Sequence, residues 1–536
     1  MRKAFLTLSI SAGLVSLVSS ASAADWLQFG YDAVGSSNNT ADRSYSTTGN
    51  AFAWPSHSVT LASPGTRSDS TPILVSNVVI DAAHPDQTDD VLLIMSDNGI
   101  LHALRASSGA ELWHAPSSGG SKVNGAPAVS PNDKQYVYAY AQDGKIHKYR
   151  VADGHEVKAP EDAHWPQLAT NKPNVEKQAS GLAIAITPGG DFLYSAMNGY
   201  GGDGGDYQGH VTTINLATGN QKVFNTMCSD ILDHLVLNGT AGTNDCNLTG
   251  GGSHSTGEMS GIWGRPGVVY VADMDRIFFT SGNGVFNANI ATSNYLWGDS
   301  VLSLHADGSG LAGNAKFPVD SATPKPFVDN YQWPADADLG STSPAILPST
   351  SASFPHLAVQ GGKEGCVRLF NLDDLNGHGP GYADSTVAPE LNPATACSQA
   401  NDAVNGEIRT QPAVWVNPAD NVTWFFIATD NGLYSYRLIV GAGGGVSIAK
   451  GWTTGNGGTS PVIANGTLYY VSNHGSGTNT VRAVNPLDGT TIWSDSSIGA
   501  IHWQSPIVAN GRLYIADQSA KVWAYTIDGI FRSKFD

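Results

Sequence analysis

The side chains able to do chemistry gather in the middle third of the chain, each inside a glycine-rich or turn-like phrase. Trp263 closes a run of small residues, GGGSHSTGEMSGIWG, and offers a flat indole face. Asn283 sits in SGNG, Asp336 and Asp338 flank a single alanine, Lys363 follows two glycines, and Asp206 ends GGDGGD. Carboxylates and amide oxygens are the donors a hard divalent cation selects. A carboxylate also accepts protons, and an ammonium stabilises developing negative charge. Each residue has a plainer use too: a packed tryptophan, an asparagine turn, aspartates capping a loop, a lysine on a surface turn, a flexible Gly/Asp run. No HExxH, GxSxG or P-loop is present, so zinc protease, serine esterase and nucleotidase chemistry lack a motif. Asp373-Asp374-Leu375-Asn376-Gly377 has part of a calcium-loop pattern without the EF-hand spacing.

The elements that must carry these residues are short strands. Sixty-one glycines, low charge and abundant Thr, Val and Tyr suit strands joined by tight turns. One phrase recurs: a small residue, proline, then an apolar run, at Pro72, Pro127, Pro266, Pro344, Pro412, Pro461 and Pro506, with a degenerate copy carrying Leu182 in the proline's place. The steps between these positions are 55, 55, 84, 78, 68, 49 and 45 residues. A blade of four short strands needs about 40–50 residues, so the longer steps carry insertions, placed between about 184 and 344 and expected to cover one face. The last two copies, SPVIANG and SPIVANG, each end in the Asn-Gly of a hairpin turn. The expected fold is an all-β, eight-bladed β-propeller of four-stranded antiparallel blades, or seven blades if the Leu182 copy forms none.

The repeat units LHALRASSGAELW and VRAVNPLDGTTIW resemble the pyrroloquinoline-quinone (PQQ) repeat, and Asp25-Trp26-Leu27-Gln28-Phe29-Gly30 is similar to the opening of such proteins. The middle third resembles quinoprotein alcohol dehydrogenases. That resemblance implies PQQ stacked on Trp263 and contacted by Lys363. It implies Ca2+ or a lanthanide held by Asp206, Asn283 and Asp338, and Asp336 as the base that takes the alcohol proton. The expected activity is oxidation of an alcohol or polyol, small or polymeric, by hydride transfer to metal-bound PQQ. With no haem-attachment CxxC, a separate electron acceptor is needed. The chain departs from the family in lacking adjacent paired cysteines and an Arg-Gly-Val phrase, and it has Asp206 near the position of a metal-binding Glu. These departures motivate a second reading: a non-catalytic propeller scaffold binding a protein or polymer, like outer-membrane assembly propellers. A hydrolase or lectin has no motif beyond the fold.

Residues 1–23 read as a signal peptide, with Arg2 and Lys3, an apolar run and Ala21-Ser22-Ala23 as cleavage site, leaving 24–536 as one exported domain, periplasmic or secreted. No other run is long enough to span a membrane. A net charge of -18 argues against nucleic acid as a partner. The four cysteines suit two disulfides in an oxidising compartment, Cys228–Cys246 and Cys366–Cys397 being the favoured of three pairings.

Overall fold

The computed structural model describes residues 24–527, apart from 43–52, 62–66, 117–124, 201–206, 237–259, 285, 288–294, 325–337, 376–403, 473–477 and 503. Eight antiparallel sheets form a ring, and each recurring phrase begins one of them. The inner strands are Ile73–Val79, Ala128–Ser130, Ala183–Thr187, Val269–Val271, Ala345–Pro348, Ala413–Val416, Val462–Ala464 and Ile507–Ala509, numbered here as blades 1 to 8. The Leu182 copy therefore does open a blade, the third, and the count is eight. Blade 8 takes its outermost strand from the other end of the chain: Ser58–Thr60 pairs with Lys521–Thr526, closing the ring. The described residues include single 3-10 turns, such as Leu311–Gly313 and Leu339–Ser341.

The residues around each proline lock neighbouring blades together near the axis. Ser70 Oγ reaches Gly125 O at 3.2 Å, Leu182 N reaches Ala126 O at 3.0 Å, and Gly181 N reaches Arg265 O at 2.7 Å. Ser343 donates its hydroxyl to Gly267 O at 3.1 Å and its amide to Gln411 Oε1 at 3.3 Å. Gln411 N donates to Ser460 Oγ, Ser505 Oγ to Ser460 O, and Ser505 N to Thr71 Oγ1, at 2.9, 2.9 and 3.0 Å. These bonds run through all eight blades. They explain why Thr71, Ser343, Gln411, Ser460 and Ser505 precede their prolines: their polar side chains and amides satisfy groups that the narrow axis hides from water.

The tryptophan and glycine of the repeat serve the outer edge. Trp113 Nε1 donates to Val151 O of blade 2 at 2.9 Å, and Trp452 Nε1 to Pro486 O of blade 7 at 2.8 Å. Each indole lies on a turn glycine with left-handed backbone, Gly154 at φ 71° and Gly489 at φ 74°. A Cβ on either glycine would overlap the ring, so both the close approach and the turn require glycine there.

No cysteine among the described residues is free; Cys228 and Cys366 are both disulfide-bonded. The expected partners Cys246 and Cys397 lie outside the described residues.

Candidate functional site

Four of the six residues singled out from the sequence are described, and the fold brings all four together. Trp263 lies just before the inner strand of blade 4, and Asn283 follows that blade's second strand, Arg276–Thr280. Asp338 precedes the inner strand of blade 5, and Lys363 occupies the turn after that blade's second strand, His356–Gly361. All four sit on connections at the end of the propeller where the inner strands begin. Asp206 and Asp336 lie outside the described residues.

Asp338 is the hub. Its Oδ2 accepts from Trp263 Nε1 at 2.7 Å and stands 3.5 Å from Lys363 Nζ. Its Oδ1 accepts from the amides of Gly340 at 3.2 Å and Asn283 at 3.3 Å. The Asp338 amide donates back to Asn283 Oδ1 at 3.1 Å. The Lys363 ammonium lies 5.2 Å from the centre of the Trp263 ring, within range of a cation–π contact. Asn283 and Asp338 are buried and Trp263 is half-buried. The local backbone is crowded: a Cβ on Gly282 would overlap Asp338 Oδ1, and one on Gly340 would press on the backbone of Gly282.

Two acids flank these residues and a third, Glu176, lies just before blade 3, none of them singled out from the sequence. Asp299 Oδ1 accepts from the Leu339 amide at 2.9 Å and so fixes the turn that follows Asp338. Glu364, beside Lys363, is half-buried with its carboxylate against Gly362 and paired through Oε1 with Arg368, while its Oε2 has no hydrogen-bond partner. Burial pushes the Glu364 carboxyl up, against the pull of Arg368. Glu176 accepts the Gln208 amide through Oε1 at 2.7 Å, and the two ring nitrogens of His210 face the carbonyls of Gln208 and Ala169, both at 2.8 Å. Burial raises the Glu176 carboxyl, with His210 and the Thr170 hydroxyl pulling the other way. The phrases that carry these acids, WGDS, GKEG and NVEKQ, contain nothing that marks a buried acid in sequence.

A planar anion suits what is present, since a half-buried indole face stands beside an ammonium. A metal ion is less well provided for. Among the described residues no group of three or more His, Cys, Asp or Glu converges as a cation site. Asn283 Oδ1 and both Asp338 oxygens already face N–H donors, one oxygen also facing the Lys363 ammonium. The described donor set fits the flat group and does not by itself make a cation site.

Residues 48–227 match a PQQ-repeat family model described as outer membrane protein assembly factor BamB. No curated protein matches the chain. Among solved structures, the quinohemoprotein alcohol dehydrogenase ADHIIG from Pseudomonas putida HK5 is 14% identical, covering 94% of this chain and 80% of that one, with a TM-score of 0.58. A europium-containing methanol dehydrogenase is also 14% identical, covering 92% and 89%, with a TM-score of 0.59. The quinohemoprotein alcohol dehydrogenase from Comamonas testosteroni is 13% identical, covering 95% and 82%, with a TM-score of 0.58. At such identities the likeness establishes the fold, an eight-bladed propeller, and the PQQ-repeat match spans residues 48–227, about a third of the chain.

Proposed function

We propose that the chain is an exported quinoprotein-type dehydrogenase that oxidises an alcohol or polyol, with PQQ seated on the face of Trp263. The meeting of Trp263, Asn283, Asp338 and Lys363 from four separate connections carries this reading. PQQ, when bound, supplies hydride acceptance, and the protein's part is orientation and electrostatics. Asp338 fixes the edge of the Trp263 indole through Nε1, which keeps the ring face presented. Lys363 places positive charge beside that face, matched to an anionic ring system and to the further negative charge of its reduced form. Asp336, two residues before the hub, is assigned as the base that takes the alcohol proton. Asp206, Asn283 and Asp338 are assigned as oxygen ligands for Ca2+ or a lanthanide, which requires Lys363 to move off the carboxylate. Electrons pass to a separate acceptor. The mature protein is residues 24–536 as one domain in the periplasm or outside the cell, after removal of 1–23.

One observation favours a second reading, a scaffold that binds a protein or polymer: both Asp338 oxygens are satisfied by the protein's own donors, so the site is complete without a ligand. Titration of the mature protein with PQQ, with and without Ca2+ or La3+, separates the two. The dehydrogenase reading expects stoichiometric quenching of tryptophan fluorescence and dye-linked alcohol oxidation. Lys363→Met should weaken quinone binding, and Asp336→Asn should abolish turnover while binding persists. No quinone binding under any metal condition would leave the scaffold reading.

A further inference from the structure

The opposite end of the propeller carries a feature unrelated to the quinone reading. Residues 24–42 run around the inside of the ring and bond to the inner strands in turn. Trp26 and Leu74 exchange amide bonds at 2.9 and 2.8 Å, and Val129 N donates to Leu27 O at 2.9 Å. Ile184 N donates to Gln28 Oε1 at 2.7 Å, and Tyr270 N to Ala33 O at 2.7 Å. Val414 N and Ile463 N donate to Ser36 O and Ser37 O at 2.9 and 2.8 Å. Asn39 Nδ2 reaches Val508 O at 2.7 Å. These contacts serve blades 1, 2, 3, 4, 6, 7 and 8.

Blade 5 is skipped. Between Ala33 and Ser36 the segment turns on itself: Ser36 bonds both oxygens of Asp32 at 2.9 and 2.6 Å, and Gly35 takes a left-handed φ of 65°. That turn carries the chain from blade 4 directly to blade 6. Ile346 stands two residues after Pro344, the register at which Leu74, Val129, Val414 and Ile463 donate to the segment, yet it receives no bond from the segment and is half-buried. A groove of about 770 Å³ lies there, with Ile346 and Leu347 on one side and Trp415 and Val416 on the other. Asp32, Asp42 and Asp273 are its carboxylates, and His356, its one basic residue, is held between Asp273 at 2.9 Å and Asp373 at 2.7 Å.

We propose that this groove receives an extended strand of a partner polypeptide, apolar at alternate positions and bearing a lysine or arginine. The strand would supply blade 5 with the hydrogen bonding to its inner strand that the segment gives the other seven blades, through its backbone for five of them and through Gln28 and Asn39 for blades 3 and 8. An open strand edge is a template for strand addition, with main-chain bonds giving affinity and alternate side chains giving specificity. The acidic lining selects the basic residue.

The test uses the mature full-length chain and acetylated hexapeptides that alternate threonine with valine, leucine or phenylalanine and end in lysine. Calorimetry should show one-to-one binding by at least one of them. Methylating its alternate backbone nitrogens, or replacing its lysine with glutamate, should weaken binding at least tenfold. Val416→Arg and Asp273→Lys, with unchanged melting temperatures, should weaken it similarly, whereas Lys363→Met at the other end should not. Absence of binding by every peptide, indifference to N-methylation, or indifference to both groove variants would overturn the proposal. Concentration-dependent dimerisation blocked by Val416→Arg would also overturn it, by assigning the groove to a second copy of the chain.

Discussion

The indole nitrogen of Trp263 donates to Oδ2 of Asp338 at 2.7 Å, joining residues 75 positions apart on different blades. The same carboxylate faces Lys363 and two backbone amides, so one buried charge ties together both halves of the candidate site. Removing one partner of a buried ion pair typically costs about 3–5 kcal/mol, because the other charge is left without compensation. Asp338→Ala should lower stability by about that much in urea unfolding, and more than Lys363→Met does, since Asp338 keeps its Trp263 and amide donors when the ammonium is gone. The double variant should lose less than the sum of the two.

Gly282 tests whether the hub tolerates displacement. A Cβ there would overlap Asp338 Oδ1 and press on Gly261 O at 3.0 Å, and the carboxylate is held by too many donors to swing aside. Gly282→Ala should destabilise by about 1–3 kcal/mol, as overpacking does. If the quinone reading holds, PQQ affinity should fall further than stability explains, because the Trp263 edge moves with Asp338. A variant with wild-type unfolding and wild-type quinone titration would show that the hub repacks freely.

Blade count and inner-strand starts were legible because the proline phrase is tied to one structural job, opening the strand at the axis. The Leu182 copy shows why the pattern could degenerate without losing a blade. Its amide donates to Ala126 O at 3.0 Å, a bond to the neighbouring blade that proline could not make. In the site, Trp263, Asn283, Asp338 and Lys363 were legible as unusual residue types in glycine-rich phrases. Asp299 was not, since its importance comes from holding a turn 40 residues away in sequence, and Glu364 was not, since nothing in its own turn phrase marks the packing of its carboxylate against Gly362. The seam formed by residues 24–42 was hidden for another reason. Most of its bonds are main-chain, and a backbone amide leaves no mark on residue type.

His147 supplies a pH dependence. Its Nδ1 contacts Glu156 at 2.6 Å and its Nε2 contacts Asp143 at 3.2 Å. Burial alone would lower its pKa, but the two carboxylates outweigh burial and raise it. A raised histidine stabilises the fold fully below its unfolded value of about 6.5 and loses that contribution as pH climbs through the higher folded value. The melting-temperature advantage of the wild type over His147→Gln should therefore be largest at pH 6 and shrink steadily towards pH 9. An advantage that grew with pH would mean the imidazole is held neutral.

Asn39 gives the sharpest test of the seam. Its Nδ2 donates to Val508 O at 2.7 Å, while its Oδ1 accepts from the Ala41 and Asp42 amides at 3.0 and 2.9 Å. The side chain is buried, so each half of the amide answers a group that water does not reach. Asn39→Ala leaves those groups unpaired and should cost about 1–3 kcal/mol. Asn39→Asp keeps the acceptor for the two amides but sets a second oxygen against a carbonyl and buries a charge, so at neutral pH it should cost more than alanine. Protonating that carboxyl restores the donor, and the aspartate variant should recover towards wild type as pH falls, whereas the alanine variant should not. Thermal unfolding of the three proteins between pH 4 and 8 reads this directly; parallel curves for the aspartate and alanine variants would mean that the bond from Asn39 to Val508 does not hold blade 8 to the seam.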